Sequence, residues 1–96
     1  MEMKNMLNSK MCCLARLLTG DSSSDEAINA EYIKMPIQDK KSAFELIHKI
    51  SIKHNAPFDL GNKQMRIDFD VIANNYCISP ATLFCIYMEL LSQNKQ

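Results

Sequence analysis

The chain has 96 residues, 47% hydrophobic and 23% charged, with 11 basic side chains against 11 acidic ones. At the ~100–200 residues of a usual domain this is room for one core, residues 1–96, and a formal charge of zero leaves no polybasic arm or acidic tail. The longest uninterrupted apolar run, Leu83 to Met88, is far below the roughly 18 residues that a membrane span requires, and Glu2, Lys4, Asn5, Asn8 and Lys10 interrupt any signal-like stretch, so a cytoplasmic domain without a membrane segment is expected.

From Glu2 to Thr19, the residues Met3, Met6, Leu7, Met11, Leu14, Leu17 and Leu18 recur at spacings of three and four. This predicts an amphipathic helix over residues 1–20 that stops at Gly20. Its stripe of Met3, Leu7, Leu14 and Leu18 is a candidate dimerisation face, and a homodimer is expected from it. Asp21 to Asp25 is short and polar, and Ser23 and Glu26 have capping-box spacing for a second helix that runs to about Lys34 and ends at Pro36. A third helix is predicted from Lys40 to about Asn55, with Ala43, Phe44, Leu46, Ile47 and Ile50 inward and Lys41, Glu45, Lys49 and Lys53 outward; Pro57 closes it. Phe58 to Lys63 reads as a turn, and the polar–apolar alternation of Gln64 to Ile67 predicts a short strand or extended approach near 64–67. The next helix, near Asp68 to Tyr76, breaks at Cys77 and Ile78. The pattern restarts at Ser79–Pro80, a favoured N-cap followed by a favoured first helical residue. The fold class is therefore all-α, with about five helices.

Chemistry-bearing residues are sparse. Cys12, Cys13, Cys77 and Cys85 include no CxxC pair that would preorganise a metal site, and they read as small hydrophobes rather than as a disulfide framework. His48 and His54 are six apart on a helix, about 240° around its axis, so they do not share a ligand face. Only Gly20 and Gly61 are present, which excludes a glycine-rich phosphate loop, and no nucleophile is paired with a base. No metal, no cofactor and no catalytic residue is assigned, and the chain is not expected to be an enzyme.

One segment carries more. Between Phe69 and Met88, Ala73 supplies a small residue where two helices would cross, Ile72 and Tyr76 an inner face, Ile78 an anchor for the turn, and Leu83 and Ile86 the inner face of a second helix. This segment, residues 69–88, resembles the helix-turn-helix of bacterial transcriptional regulators of the AraC or Crp/Fnr type, and the helix-turn-helix-like unit is expected to span 69–93. A departure is Cys77, where the family favours Gly because the turn often needs a positive φ. The resemblance implies a small, dimeric, DNA-binding transcription regulator whose contacts come from Lys63, Arg66, Ser79, Ala81, Thr82 and Cys85. Yet the outward positions of the second helix hold Ser79, Pro80, Ala81, Thr82, Cys85 and Glu89, few of which read bases or hold phosphate. Phe84, Tyr87, Met88 and Leu91 add a second apolar surface to that helix. They support the alternative, a degenerate helix-turn-helix that binds and modulates another protein, a regulator or an enzyme, through an apolar face. Charge distribution leaves both open. Residues 1–33 carry three basic and five acidic side chains, 34–66 seven and three, and 67–96 one and three, so the positive third is the middle and not the helix-turn-helix-like end.

Overall fold

The computed structural model describes residues 7–93, and these form five α-helices: α1 Ser9–Thr19, α2 Asp25–Lys34, α3 Ile37–His54, α4 Lys63–Asn75 and α5 Pro80–Gln93. The fold is all-α. Three of the helices open on a short polar side chain that takes up N–H groups left unpaired in the first turn. Asn8 accepts from the Met11 N–H, Ser24 from Ala27, and Asn62 from both Gln64 and Met65. The cap of α2 is thus Ser24, one residue later than the Ser23–Glu26 spacing predicts. Helix α3 starts directly after Pro36 rather than at Lys40. Two ends use left-handed residues that turn the chain away: Gly20 with φ 75°, and Asn55 with φ 53°.

Residues 64–67 are not extended. They are part of the opening of α4, which begins five residues before the expected Asp68 because Asn62 caps it and because Met65, Phe69, Ile72 and Ala73 form one continuous buried face. The alternation that suggested a strand came from Ile67, which lies on the solvent side of that helix.

α1 turns its small residues inward. Cys12, Ala15 and Thr19 are its buried residues, whereas Leu14, Leu17 and Leu18 are exposed. Small side chains at i, i+3 and i+7 let α1 approach α5, the helix it packs against most extensively. Leu7, expected on the same stripe, sits ahead of the helix and is buried; the amide of Asn29 on α2 accepts from its N–H at 2.7 Å and donates to its carbonyl at 3.5 Å. Met3 and Met6 lie outside the described residues.

Helix α5 is the axis of the molecule. Six consecutive residues, Ala81 to Ile86, are buried, which is possible only for a helix covered on every side, and α1, α2, α3 and α4 all pack on it. α4 and α5 meet at an angle of 99° across residues 76–79, and Cys77 in that turn adopts φ 57°. The Ile78 N–H bonds back to the Ala73 carbonyl at 3.1 Å and closes the corner. Among the described residues no single helix is long and apolar enough to cross a membrane.

Candidate interaction site

The N-terminus of α5 is where a helix-turn-helix unit would meet DNA, and here it is consumed within the domain. Pro80 has no N–H to offer. The Ala81 N–H donates to Asp21 Oδ2 at 3.0 Å, the Thr82 N–H to Ser79 Oγ at 3.5 Å, and the Leu83 N–H to the Ser79 carbonyl at 3.1 Å. A single carboxylate oxygen, Oε1 of Glu31, accepts from the Ser79 N–H and hydroxyl, both at 3.0 Å, and from the Thr82 hydroxyl at 2.6 Å. Burial pushes the Asp21 carboxyl up, but the Ala81 and Ser23 donors outweigh it and hold Asp21 below the ordinary value of 3.8. Two carboxylates therefore complement the positive end of α5, and a phosphate brought there would meet negative charge and no free N–H.

This arrangement corrects the expectation that the start of α5 faces outward. Ala81, Thr82 and Cys85 are wholly buried, and Ser79 is half-buried under Glu31. Arg66 is half-buried as well: its guanidinium donates to the Thr19 carbonyl and completes the C-terminus of α1. Gly20 leaves it the space, since a Cβ at Gly20 would lie 3.0 Å from Arg66 Nη2. Lys63 stays exposed at the first position of α4. Glu89 accepts from the Tyr32 hydroxyl at 3.1 Å, and the Lys40 ammonium sits 3.7 Å from the centroid of the Tyr32 ring. Burial first, and then Glu89, pushes the Tyr32 phenol up to about 12. Lys40, lowered by burial, is thereby drawn off the basic outer face of α3.

What α5 leaves open are its flanks. One cleft of about 370 Å³ is walled by Leu17 and Leu18 of α1, by Phe58, Asp59, Leu60 and Gly61 of the α3–α4 loop, by Arg66, and by Phe84 and Tyr87 of α5. A second, of about 730 Å³, runs between α3 and the end of α5 and includes Phe44, Ile52, Leu90 and Leu91. The two share no lining residue, and an aromatic cluster lies between them: the Tyr87 ring of the first cleft is 5.7 Å from Phe44 of the second, 5.2 Å from Phe58 and 6.5 Å from Phe84 between centroids. Leu17 on the first cleft is 77% exposed, and Ile52 on the second is 66% exposed.

The expected interaction residues therefore separate. Leu18, Phe84 and Tyr87 converge on the first cleft, although Phe84 is itself mostly buried; Leu91 lines the second. Leu14 is half-exposed on α1, Met88 packs against the core, and Leu7 is inside. Leu17, Phe58 and Ile52 were not assigned to an interaction surface from the sequence: Leu17 reads only as part of the apolar recurrence of α1, and nothing in the pattern marks Phe58 or Ile52.

Other polar groups tie elements together. His54 Nε2 at the end of α3 lies 2.8 Å from Asp68 Oδ2 on α4, with Lys53 Nζ at 3.2 Å. The His54 hydrogen bond first, then Lys53, holds the Asp68 carboxyl below its ordinary value. All four cysteines are free; Cys12 and Cys85 are buried, Cys13 and Cys77 exposed. Burial, and after it the neighbouring Cys12, pushes the Cys85 thiol up to about 12. Among the described residues no three His, Cys, Asp or Glu side chains gather into a metal-binding group.

No family model, no curated protein and no solved structure matches this chain. Its function is read from the geometry above.

Proposed function

We propose that the protein is a protein-interaction module: a helix-turn-helix-like corner whose second helix is internal, and whose working surface is the pair of clefts on either side of the Phe44–Tyr87 contact. The observation that carries this reading is the contrast around α5. Ala81, Thr82 and Cys85 at the start of α5 are inside the domain, with the Ala81 N–H and the Thr82 hydroxyl bonded to its own carboxylates, while large apolar groups stand exposed along its flanks. Contiguous apolar surface of this kind marks a place where a soluble domain meets another surface. The occupant is an apolar segment of a partner, lying over Leu17, Tyr87 and Ile52. A photo-crosslinking residue at position 17 should capture a polypeptide that the same residue at exposed Ile33 on α2 does not, and the adduct should survive nuclease. Adducts that disappear with nuclease, or equal capture at both positions, would remove the reading.

The second reading is the DNA-binding regulator, and a specific observation favours it. A 99° turn across four residues falls within the roughly 90–120° of helix-turn-helix units, and Cys77 holds the left-handed conformation for which that family prefers Gly. Its phosphate contacts would start from exposed Lys63 and the lysines of α3 rather than from α5. A mobility shift with duplex DNA that weakens with rising salt and with Lys63→Glu supports it; no shift at low salt removes it.

A further inference from the structure

We infer that the groove between α3 and the end of α5 takes an acidic amphipathic helix of a partner protein. The inference rests on the interaction reading and names the chemistry of the partner. Lys41, Phe44, Glu45, His48, Lys49 and Ile52 follow one another at steps of one, three or four residues, so they form one stripe along α3. From position 41 to position 52 that stripe runs about 16 Å, three helical turns. Its floor is apolar: Phe44 from α3 faces Leu90 and Leu91 from α5, and Ile52 projects at the far end.

Charge chooses among apolar occupants. Lys41 and Lys49 stand on the groove two turns apart, and among the described residues neither is paired with a carboxylate. Lys53 continues the row and shares Asp68. The surrounding third of the chain, residues 34–66, is the one with a net positive charge, seven basic against three acidic. Glu45 lies between Lys41 and Lys49, one turn from each, so a complementary helix carries acids about seven or eight positions apart and a neutral or basic residue between them. An apolar face flanked by acids would cover Phe44, Ile52 and Leu91 and give both lysines partners. Such complementarity sets the orientation and the choice of partner more than the raw affinity.

The test is fluorescence anisotropy of the full chain with three labelled helical peptides of about 18 residues, long enough to pass the whole groove. They share one leucine face and differ in their flanks, which are glutamate, glutamine or lysine. The glutamate peptide should bind about tenfold more tightly than the glutamine peptide, the gain expected of two exposed ion pairs, and the lysine peptide weakest. The double variant Lys41→Glu/Lys49→Glu, its fold checked by circular dichroism, should reverse the order. Ile52→Asp should weaken all three. Equal binding of the glutamate and glutamine peptides would overturn the acidic assignment and leave the interaction reading standing; binding of none would overturn both. Two further outcomes reassign the groove and overturn the proposal. One is co-sedimentation with phosphatidylserine vesicles without peptide binding. The other is a dimeric mass that Ile52→Asp returns to monomer.

Discussion

The first turns of α5 and the outer stripe of α3 both carry large apolar side chains, and they have opposite fates. Ala81 to Ile86 are enclosed by four other helices, with every N–H of the first turn taken up internally. Lys41 to Ile52 keep two lysines and an isoleucine in solvent along an open groove. A helix-turn-helix unit that works on DNA inverts this: the second helix is the exposed one. The difference teaches that a near-perpendicular corner between α4 and α5 does not by itself expose the second helix, and that the open groove of this chain lies along α3 instead. Carboxylates from α2 and from the α1–α2 link, Glu31 and Asp21, satisfy the donors at the start of α5 from within the domain.

The comparison is broken most directly by removing the same side chain from each region. Ile86 is wholly buried and Ile52 is 66% exposed. Ile86→Ala should destabilise the fold by about 2–5 kcal/mol, and Ile52→Ala should stay within about 0.5 kcal/mol, read as urea midpoints. Because a domain of this size has only about 5–15 kcal/mol in total, Ile86→Val, expected at about 1 kcal/mol, provides a measurable variant if the alanine protein does not fold. Similar losses at both positions would mean that α5 is not the enclosed helix.

Glu31 comes next. Its Oε1 accepts three donors from Ser79 and Thr82, so Glu31→Ala strands polar groups at the half-buried start of α5 and should destabilise by about 2–3 kcal/mol. Glu31→Gln keeps an acceptor oxygen and should recover part of that loss. If the two variants are equal, the hydrogen bonds contribute little and the carboxylate acts as charge alone. If neither destabilises, the internal use of the α5 terminus is incidental.

Much of this fold was legible in the sequence, and the gaps have identifiable causes. Helix count, the stop at Gly20, the break at Pro36 and the restart at Ser79–Pro80 were readable because each depends on local backbone preference. The strand expected near 64–67 arose from exposed Ile67, whose hydrophobicity mimics alternation. The inner face of α1 was not legible, since Cys12, Ala15 and Thr19 are less hydrophobic than the leucines beside them, yet only small residues let α1 approach α5. The pairings of Glu31 with Thr82 and of Asp21 with Ala81 join positions 51 and 60 residues apart. No periodicity carries such a pairing. The candidate site was legible only as separate apolar residues on α1 and α5; that they meet at Tyr87 depends on how the helices cross.

Gly20 tests how tightly the two regions are coupled through α1. At φ 75° a Cβ is strained by about 1–2 kcal/mol in itself. It would also crowd Arg66 Nη2 at 3.0 Å, and Arg66 supplies both the cap on Thr19 and a wall of the first cleft. Gly20→Ala should therefore lower stability by about 1–2 kcal/mol and, beyond that, weaken crosslinking from position 17 while the circular dichroism spectrum stays helical. Lost stability with unchanged crosslinking would separate the cap from the cleft.

The smallest expected effect, and the one that most sharpens the comparison, is the pH dependence of Asp21. Its folded pKa lies below 3.8 because the Ala81 and Ser23 donors outweigh the cost of burial. The unfolded chain then takes up this proton first as pH falls, so the contribution is fully present above the ordinary carboxylate value and is lost as pH drops through the depressed one. Asp21→Asn keeps an oxygen for the Ala81 N–H but carries no charge. The stability gap between wild type and Asp21→Asn should be constant at neutral pH and close as the solution is acidified. Over the same interval, the protection of the Ala81 amide, its exchange rate relative to the intrinsic rate at each pH, should fall in the wild type toward that of the variant. Asp68, held low by His54 and Lys53 on the α3–α4 clamp, provides the control. Asp68→Asn should show its own acid-dependent gap without altering exchange at Ala81, because its partners belong to the outer elements and not to the start of α5. A gap for Asp21→Asn that ignores pH would mean that its charge does not hold the terminus of α5, and that burial of the apolar residues alone keeps that helix inside.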